Sequence, residues 1–274
     1  MTNQKLQPLL QYFLNKWQLT NPTPFIQSKF TDNYVVLYYS SLYQCNVVLK
    51  ICPSMDITNE QKALTYFNGN GAVKLLDYDI DNKGLLLEYI KPGIALKSLF
   101  PKDEMQAIEI AATVIKKLHA NPNQMPLNNF QTIDRWLGLL KTHKSNKISD
   151  FLIKKASELS DALLQTQKKL YLLHGDLHHE NILQKNNEWI AIDPFGVVGE
   201  LEYEVGAFIR NPVPELLNQK NSTEIIVFRI DQFSKIFGFE KQRLIDWSFV
   251  QSVLVACWSE WDYYIKFAEI VHQL

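Results

Sequence analysis

His174-Gly175-Asp176-Leu177-His178-His179-Glu180-Asn181, followed after a short turn by Trp189-Ile190-Ala191-Ile192-Asp193, is the stretch that decides the fold. Two apolar runs, 181–184 and 189–192, flank a polar turn at Lys185–Glu188, which is the pattern of a β-hairpin. Asn181 opens the first strand and Asp193 closes the second, so the hairpin brings the two face to face across its mouth. Asp176 sits on the tight loop just before. A carboxylate and an amide oxygen at that range suit a hard cation such as Mg²⁺, which takes a few protein oxygens plus phosphate oxygens. Asp176 is then left as the acceptor for a substrate hydroxyl proton. His174 is expected to hold the loop through backbone bonds. Adjacent histidines at 178 and 179 point to different sides and find no third ligand, which argues against zinc.

Outward from this hairpin the chain has two textures. Residues 4–17 carry Leu6, Leu9, Leu10, Phe13, Leu14 and Trp17 at helical spacing. From 22 to 90 the β pattern dominates: FIQ (25–27), NYVVLYY (33–39), YQCNVVLKI (43–51), AVKLLDYDI (72–80) and GLLLEYI (84–90) read as five antiparallel strands, with a short helix over 57–67. Pro92-Gly93 punctuates the chain and predicts a hinge near 88–95. Beyond it, helices are expected at 105–119, 131–142 and 149–168, with a small β patch at LYLL, NILQ and WIAID. From Phe239 to Leu274 there is neither Gly nor Pro, and the pattern is helical. The expected class is α+β, with residues 1–90 forming a small sheet-bearing unit behind a leading helix and 91–274 a mainly helical one.

Composition narrows the function. With 28 basic and 29 acidic residues among 274, the formal charge is −1, so no global field collects nucleic acid or an anionic membrane. Cys45, Cys52 and Cys257 make no disulfide or zinc framework. The N-terminal stretch lacks the apolar core of a signal peptide, and no apolar run approaches the roughly 18 residues of a spanning helix. A soluble, cytoplasmic protein is expected.

His174, Asp176 and Asn181 match the H-x-D-x-x-x-x-N catalytic loop of the protein-kinase-like fold, and Asp193 takes the place of its metal-binding Asp. Val47-Val48-Leu49-Lys50 resembles the strand carrying the phosphate-binding lysine, and Glu60 matches the helix Glu that holds that lysine. The details depart from protein kinases. The loop reads His-Gly-Asp-Leu-His, the metal element is Asp193-Pro194-Phe195, and no A-P-E follows. HGDLHHENIL with IDPFGVVGELEYEVGAFIRNP is similar to the aminoglycoside phosphotransferase family, in particular to streptomycin 6-kinases and hydroxyurea kinases. LLLEYI-x-P-G at 85–93 and Trp258 also resemble that group.

The resemblance implies a bilobal fold with a five-stranded N-lobe and a helical C-lobe, and an ATP- and Mg²⁺-dependent O-phosphotransferase acting on a small-molecule hydroxyl. Lys50 and Glu60 would serve the phosphates, and backbone groups of Glu88, Tyr89 and Ile90 the adenine edge. Asn181 and Asp193 would hold the metal, and Asp176 would meet the hydroxyl. The phosphate loop, Gln27–Asn33, contains no glycine, so Ser28 and Thr31 are expected to offer hydroxyls instead. Glu204 stands where the family often carries Asp, and is expected still to anchor the loop. An aminoglycoside-type acceptor such as streptomycin is cationic, which nominates Glu200, Glu260 and Asp262 as carboxylates and Trp258 and Trp261 as faces for a guanidinium. Alternatives on the same fold are a kinase of a sugar, choline or homoserine, or a nucleotide-binding pseudokinase without catalysis. The sequence carries no signal of oligomeric state.

Overall fold

The computed structural model describes residues 3–24, 33–120 and 127–274. Helix α1 (Asn3–Lys16) lays its apolar stripe on the sheet that follows. Phe13 and Trp17 are fully buried and stacked with ring centroids 4.7 Å apart, and the Trp17 indole N–H donates to Asp77 at 2.8 Å. The sheet comprises β1 (Leu19–Pro24), β2 (Tyr34–Ser40), β3 (Cys45–Ile51), β4 (Leu75–Asp79) and β5 (Gly84–Glu88), antiparallel in the order β1-β2-β3-β5-β4.

Its pleat decides where the first functional residue points. Along β3 alternate residues face opposite sides. Val47, Leu49 and Ile51 join Phe13 and Trp17 in one apolar cluster. Val48 and Cys52 pack with Leu64 of α2 (Thr58–Phe67) on the other side. Lys50 shares that second face, between apolar neighbours, and α2 brings Glu60 to it.

The chain leaves the sheet through β6 (Pro92–Ala95) and α3 (Glu104–His119), then β7 (Gln131–Thr132), α4 (Ile133–Leu137), α5 (Leu139–Thr142) and α6 (Asp150–Gln165). The catalytic-loop region follows: β8 (Tyr171–Leu173), β9 (Ile182–Lys185), β10 (Glu188–Ala191) and β11 (Val197–Gly199). The remainder is helical: α7 (Leu201–Glu204), α8 (Gly206–Arg210), α9 (Ser222–Phe237), α10 (Lys241–Ser259) and α11 (Asp262–Val271). β9 and β10 form the expected hairpin, with Ala191 paired to Ile182. β6 adds to its free edge in the order β10-β9-β6, while β8 pairs with β11 in a separate small sheet, β7-β11-β8. One large apolar cluster joins α3, α6, α9, α10 and α11. Inside it the Arg229 guanidinium is fully buried and satisfied by both Glu104 carboxylate oxygens, at 2.8 and 2.9 Å, and by backbone carbonyls of Phe208, Ile209 and Asn211.

Several expectations shift. The first strand of the sheet is β1 at 19–24, ahead of the 25–27 segment, and it contains Pro22 and Pro24. An edge strand tolerates them, since its outer N–H groups need no partner. The segment 25–27 read as that strand lies outside the described residues. The helix read over 131–142 divides at Gly138 into α4 and α5. The uninterrupted C-terminal pattern is cut at Glu260, which takes a left-handed conformation (φ +53°) as the C-cap of α10. β6 and α9 were not expected as elements. Among the described residues no helix is long and apolar enough to cross a membrane.

Candidate active site

Lys50 is the centre of charge. Its ammonium lies 2.7 Å from Glu60 and 2.9 Å from Asp193, joining β3, α2 and the end of the hairpin. Burial works against its charge, but the Asp193 and Glu60 carboxylates outweigh burial and hold the lysine above its ordinary range. Glu60 responds in the opposite sense. Burial pushes its carboxyl up to about 6, against the opposing pull of Lys50. Asp193 is kept below the usual carboxylate range because Lys50 outweighs the desolvation at its place in the site.

The loop between β8 and β9 is held from below. Glu204 is buried and accepts the backbone N–H groups of His174 (2.8 Å) and Gly175 (3.2 Å). Burial pushes this carboxyl up to about 7, and the two amides oppose it. Here Glu anchors the loop from a position where Asp was the alternative. Gly175 has φ +84°, and a Cβ there would meet Val197 at 2.9 Å, so the turn requires glycine. His174 is fully buried, with burial holding its pKa down to about 4. In the neutral tautomer its Nε2–H donates to the Ile192 carbonyl (2.7 Å) and its Nδ1 accepts from the Asp176 N–H (3.3 Å). It ties the loop to β10, as its backbone-holding role required.

Two cations clamp Asp176. Arg210 reaches Oδ1 at 3.3 Å and His178 Nε2 lies 3.4 Å from Oδ2. Burial opposes the carboxylate, but His178 and Arg210 overcome it and hold the carboxyl down to about 2. His178 is partly buried, and desolvation works against its charge, yet Asp176 on one nitrogen and Glu180 on the other (2.9 Å) raise it to about 9, so it is imidazolium at neutral pH. Glu180 continues to Lys97 at 2.8 Å. His179 stacks on Phe208 with ring centroids 4.0 Å apart and meets Arg229. Among the described residues no group of three or more His, Cys, Asp or Glu is gathered for a metal.

Asn181 donates its side-chain N–H to the Asp176 carbonyl at 3.0 Å, which fixes the amide and leaves Oδ1 as an acceptor. Ile192 N–H on the Asn181 carbonyl (2.9 Å) closes the hairpin mouth and so sets Asn181 opposite the end of β10. The half-exposed Asp193 carboxylate gives one oxygen to Lys50. An amide oxygen and a carboxylate form an all-oxygen donor set, which fits Mg²⁺ and not a soft metal.

Beside Asp176 opens a cavity of about 180 Å³, walled by Trp136, Phe195 and Trp258 and floored by Arg210 and Gln251. Arg210 donates to Gln251 Oε1 at 2.6 Å, and Gln251 donates in turn to the Tyr203 carbonyl at 2.6 Å. Of the residues nominated to contact the acceptor, Trp258 alone lines this cavity. Glu200, Glu260, Trp261 and Asp262 are not among its lining residues. Glu200 is buried 3% exposed against Arg243 (2.6 Å) and the Trp247 indole N–H, so it is a structural anion. Glu260 is exposed and pairs with Lys147 at 3.3 Å, and Asp262 is exposed in the first turn of α11.

Glu88 ends β5. Its N–H is taken by the Lys74 carbonyl (3.0 Å) and its side chain bonds Lys185 (2.6 Å) and the Lys74 N–H (2.9 Å). The Glu88 N–H and side chain are therefore already committed within this lobe and to Lys185. Ser28 and Thr31 lie outside the described residues. Arg210, Gln251, Trp136, Phe195 and the His178 clamp were missed as site residues. The available signals were a lone Arg ending the apolar run Ala207-Phe208-Ile209, and a Gln inside Phe249–Cys257, since an isolated polar group in an apolar run is buried only with a partner.

With this geometry established, comparison with known proteins is informative. The family model described as "Aminoglycoside/hydroxyurea antibiotic resistance kinase" matches residues 17–262. A streptomycin 3''-kinase of Klebsiella pneumoniae is 26% identical over 77% of this chain and 79% of its own length. A hydroxyurea phosphotransferase of Kitasatospora aureofaciens is 25% identical over 77% of this chain, which spans 61% of that relative. The structure of aminoglycoside phosphotransferase APH(4)-Ia in a ternary complex with ADP and hygromycin B superimposes with a TM-score of 0.67 at 11% identity, over 96% of each chain, and so shares the fold.

Proposed function

The chain belongs to the aminoglycoside/hydroxyurea antibiotic resistance kinase family, and from that membership we propose that it is an ATP-dependent O-phosphotransferase of a small-molecule hydroxyl. The observation that carries the reading is the pairing of Lys50 with both Glu60 and Asp193, which stands two residues before Phe195 of the cavity beside Asp176. A solvated lysine has no need of two carboxylates on a buried face.

In this reading residues 1–90 bind the nucleotide and 91–274 carry the acceptor site. Lys50 holds the phosphates of ATP, oriented by Glu60. Glu88, Tyr89 and Ile90 border the adenine, and Ser28 belongs to the phosphate loop. Asn181 and Asp193 hold Mg²⁺, which supplies charge neutralisation of the phosphate oxygens. Asp176 aligns the acceptor hydroxyl. That oxygen bonds the γ-phosphorus, the bond to the departing ADP oxygen breaks, and the hydroxyl proton passes to Asp176. Phosphoryl transfer leaves the protein little covalent work, so positioning and electrostatics carry the rate. A carboxyl held near 2 is a weak base, so it accepts that proton late, once the oxygen is already bonding phosphorus. ATP is supplied in the cytoplasm, which supports that location for the reaction.

The relatives' names offer acceptors of very different size, streptomycin and hydroxyurea. Acceptor-dependent ADP release with Mg²⁺ and ATP tests the reading. The expected result is turnover that Asp176→Asn lowers by about 10²–10⁴. Failure to bind a non-hydrolysable ATP analogue with Mg²⁺ would overturn it.

A further inference from the structure

We infer that Arg229 and Tyr263 are positioning residues for Asp176: together they hold the C-terminal end of α8 so that Arg210 meets the catalytic carboxylate. This rests on the phosphotransferase reading and adds to it two residues that do not line the acceptor cavity.

α8 has an end that cannot cap itself. The last four carbonyls of a helix have no partner within it, and in a helix of five residues that is nearly all of them. Pro212 and Pro214 lack an N–H, so the chain beyond offers few donors in return. Side chains take over, and every carbonyl from 207 to 211 meets one. The Asn211 amide donates to Ala207 at 2.8 Å. Arg229 Nη1 donates to Phe208 and Ile209, both at 3.1 Å, and to Asn211. The Tyr263 hydroxyl donates to the carbonyl of Arg210 itself at 2.6 Å. A buried cation at this end also complements the helix dipole.

Arg229 is fixed in turn. Its Nε and Nη2 grip both Glu104 oxygens at 2.8 and 2.9 Å, and Nη2 also donates to His179 Nε2 at 3.3 Å, so each of its N–H groups is engaged. His179 follows Asp176 in the same loop and stacks on Phe208 of α8. One guanidinium thus ties α3, α8 and the catalytic loop together. A buried ion pair is weak evidence for stability, because well-packed apolar residues often serve as well or better. What an apolar side chain cannot do is hold carbonyls in fixed directions. The lever between this anchor and the chemistry is Arg210, which ends α8 and reaches Gln251 at 2.6 Å and Asp176 Oδ1 at 3.3 Å. The contact with Asp176 is the longer of the two, so a small turn of the 208–211 backbone breaks it first.

A double-mutant cycle tests the lever: the full chain, Tyr263→Phe, Arg210→Gln and the two combined. Tyr263→Phe removes one hydroxyl and keeps the ring. A misplacement of about 1 Å can cost about 10² in rate, so kcat should fall by about threefold or more while the KM for ATP holds. In the Arg210→Gln background the same substitution should cost nothing further in kcat, although it lowers the urea midpoint equally in both backgrounds. Arg229→Lys keeps the charge and loses the fork, and should repeat the pattern with a larger fall; should it not fold, the Tyr263→Phe cycle stands without it. Turnover is read as ADP release from MgATP with streptomycin or hydroxyurea, the acceptors in the relatives' names. A merely structural role predicts that the losses in kcat multiply in the double variant, and that result overturns the inference. So does undiminished kcat in Tyr263→Phe or in Arg210→Gln, or an equal loss of ATP affinity. Failure to bind a non-hydrolysable ATP analogue, or to turn over either acceptor, strikes the phosphotransferase reading or its acceptors instead. A crystal structure of Tyr263→Phe then decides alone: Arg210 displaced from Asp176 supports the positioning role, and Arg210 still bonded to Asp176 overturns it.

Discussion

Lys50→Met should destabilise the protein in a strongly pH-dependent way, because the lysine stands between two carboxylates that otherwise face each other. A buried pair broken from one side typically loses about 3–5 kcal/mol, since the remaining charge is left uncompensated. Glu60 can escape that penalty by taking a proton. Already in the native protein its carboxyl is held at about 6 against an ordinary 4.5, which disfavours the folded state by about 2 kcal/mol at neutral pH. The direction follows from linkage. A group whose folded pKa lies above its unfolded one contributes stability that is present below the unfolded value, here 4.5, and lost as pH rises through about 6. Without the ammonium, burial and Asp193 act on Glu60 unopposed, so its pKa climbs further and the loss at neutral pH deepens. At about pH 5 both proteins hold Glu60 largely protonated. What remains is the contact with half-exposed Asp193, which contributes about 0–1 kcal/mol.

Urea unfolding of both proteins at about pH 5 and about pH 7.5 reads this directly, provided the m-values agree. The variant should lose about 3–5 kcal/mol at the higher pH and about 1 kcal/mol or less at the lower. Equal losses at both, or a larger loss in acid, would refute the coupling of Lys50 to Glu60. Titration with a non-hydrolysable ATP analogue should show weakened binding at either pH, because the phosphate contact is gone whether or not Glu60 is protonated.

Asp176→Asn should bind that analogue normally and lose about 10²–10⁴ in kcat; unchanged turnover would remove Asp176 from the reaction. In Asp193→Asn the metal donor set weakens, so excess Mg²⁺ should partly restore nucleotide binding, as it should not in Lys50→Met; calorimetric titrations across a Mg²⁺ series decide it. Gly206→Ala puts a Cβ 2.6 Å from the Gln251 amide, displacing the group that seats Arg210. A shift of about 1 Å there can cost about 10² in rate, so kcat/KM for the acceptor should fall while analogue affinity holds, and equal loss of both would point to general damage.

The readable parts of the sequence were those where a local rule sets the geometry. The two-residue period of β3 and the three-to-four spacing of α1 are properties of neighbours, so the face carrying Lys50 and the stripe ending at Trp17 follow from the chain itself. The hairpin from Ile182 to Ala191 is equally local, and it places Asn181 opposite the end of β10 without knowledge of anything distant. The acceptor cavity is assembled the other way. Arg210, Gln251, Trp136 and Phe195 come from four separate segments and meet through the packing of α8 and α10 against the catalytic loop. Glu200 shows the converse failure. Proximity to Asp193 in sequence suggested the cleft, but the turn into α7 carries it toward Arg243 and Trp247 of α10, where a buried carboxylate finds partners.

The two ion-paired centres are both arranged to admit ligands. An ammonium has three donors, and Lys50 gives one each to Glu60 and Asp193, so a phosphate oxygen can be accepted without surrendering either contact. Asp176 keeps acceptor capacity too, because one cation per oxygen leaves about half of a carboxylate's roughly four lone-pair sites open. Both oxygens face cations, at 3.3 and 3.4 Å. Those distances exceed the 2.7–2.9 Å or so of strong charge-assisted bonds. A hydroxyl coming within about 2.6–3.2 Å of Asp176 therefore makes a tighter contact than either cation, on a lone pair that neither uses. Arg210 remains seated by Gln251 at 2.6 Å and His178 by Glu180 at 2.9 Å, so neither cation is stranded when the acceptor enters. The clamp keeps the carboxylate ionised and aimed, and the partners behind each cation hold both in place while the hydroxyl takes an open lone pair.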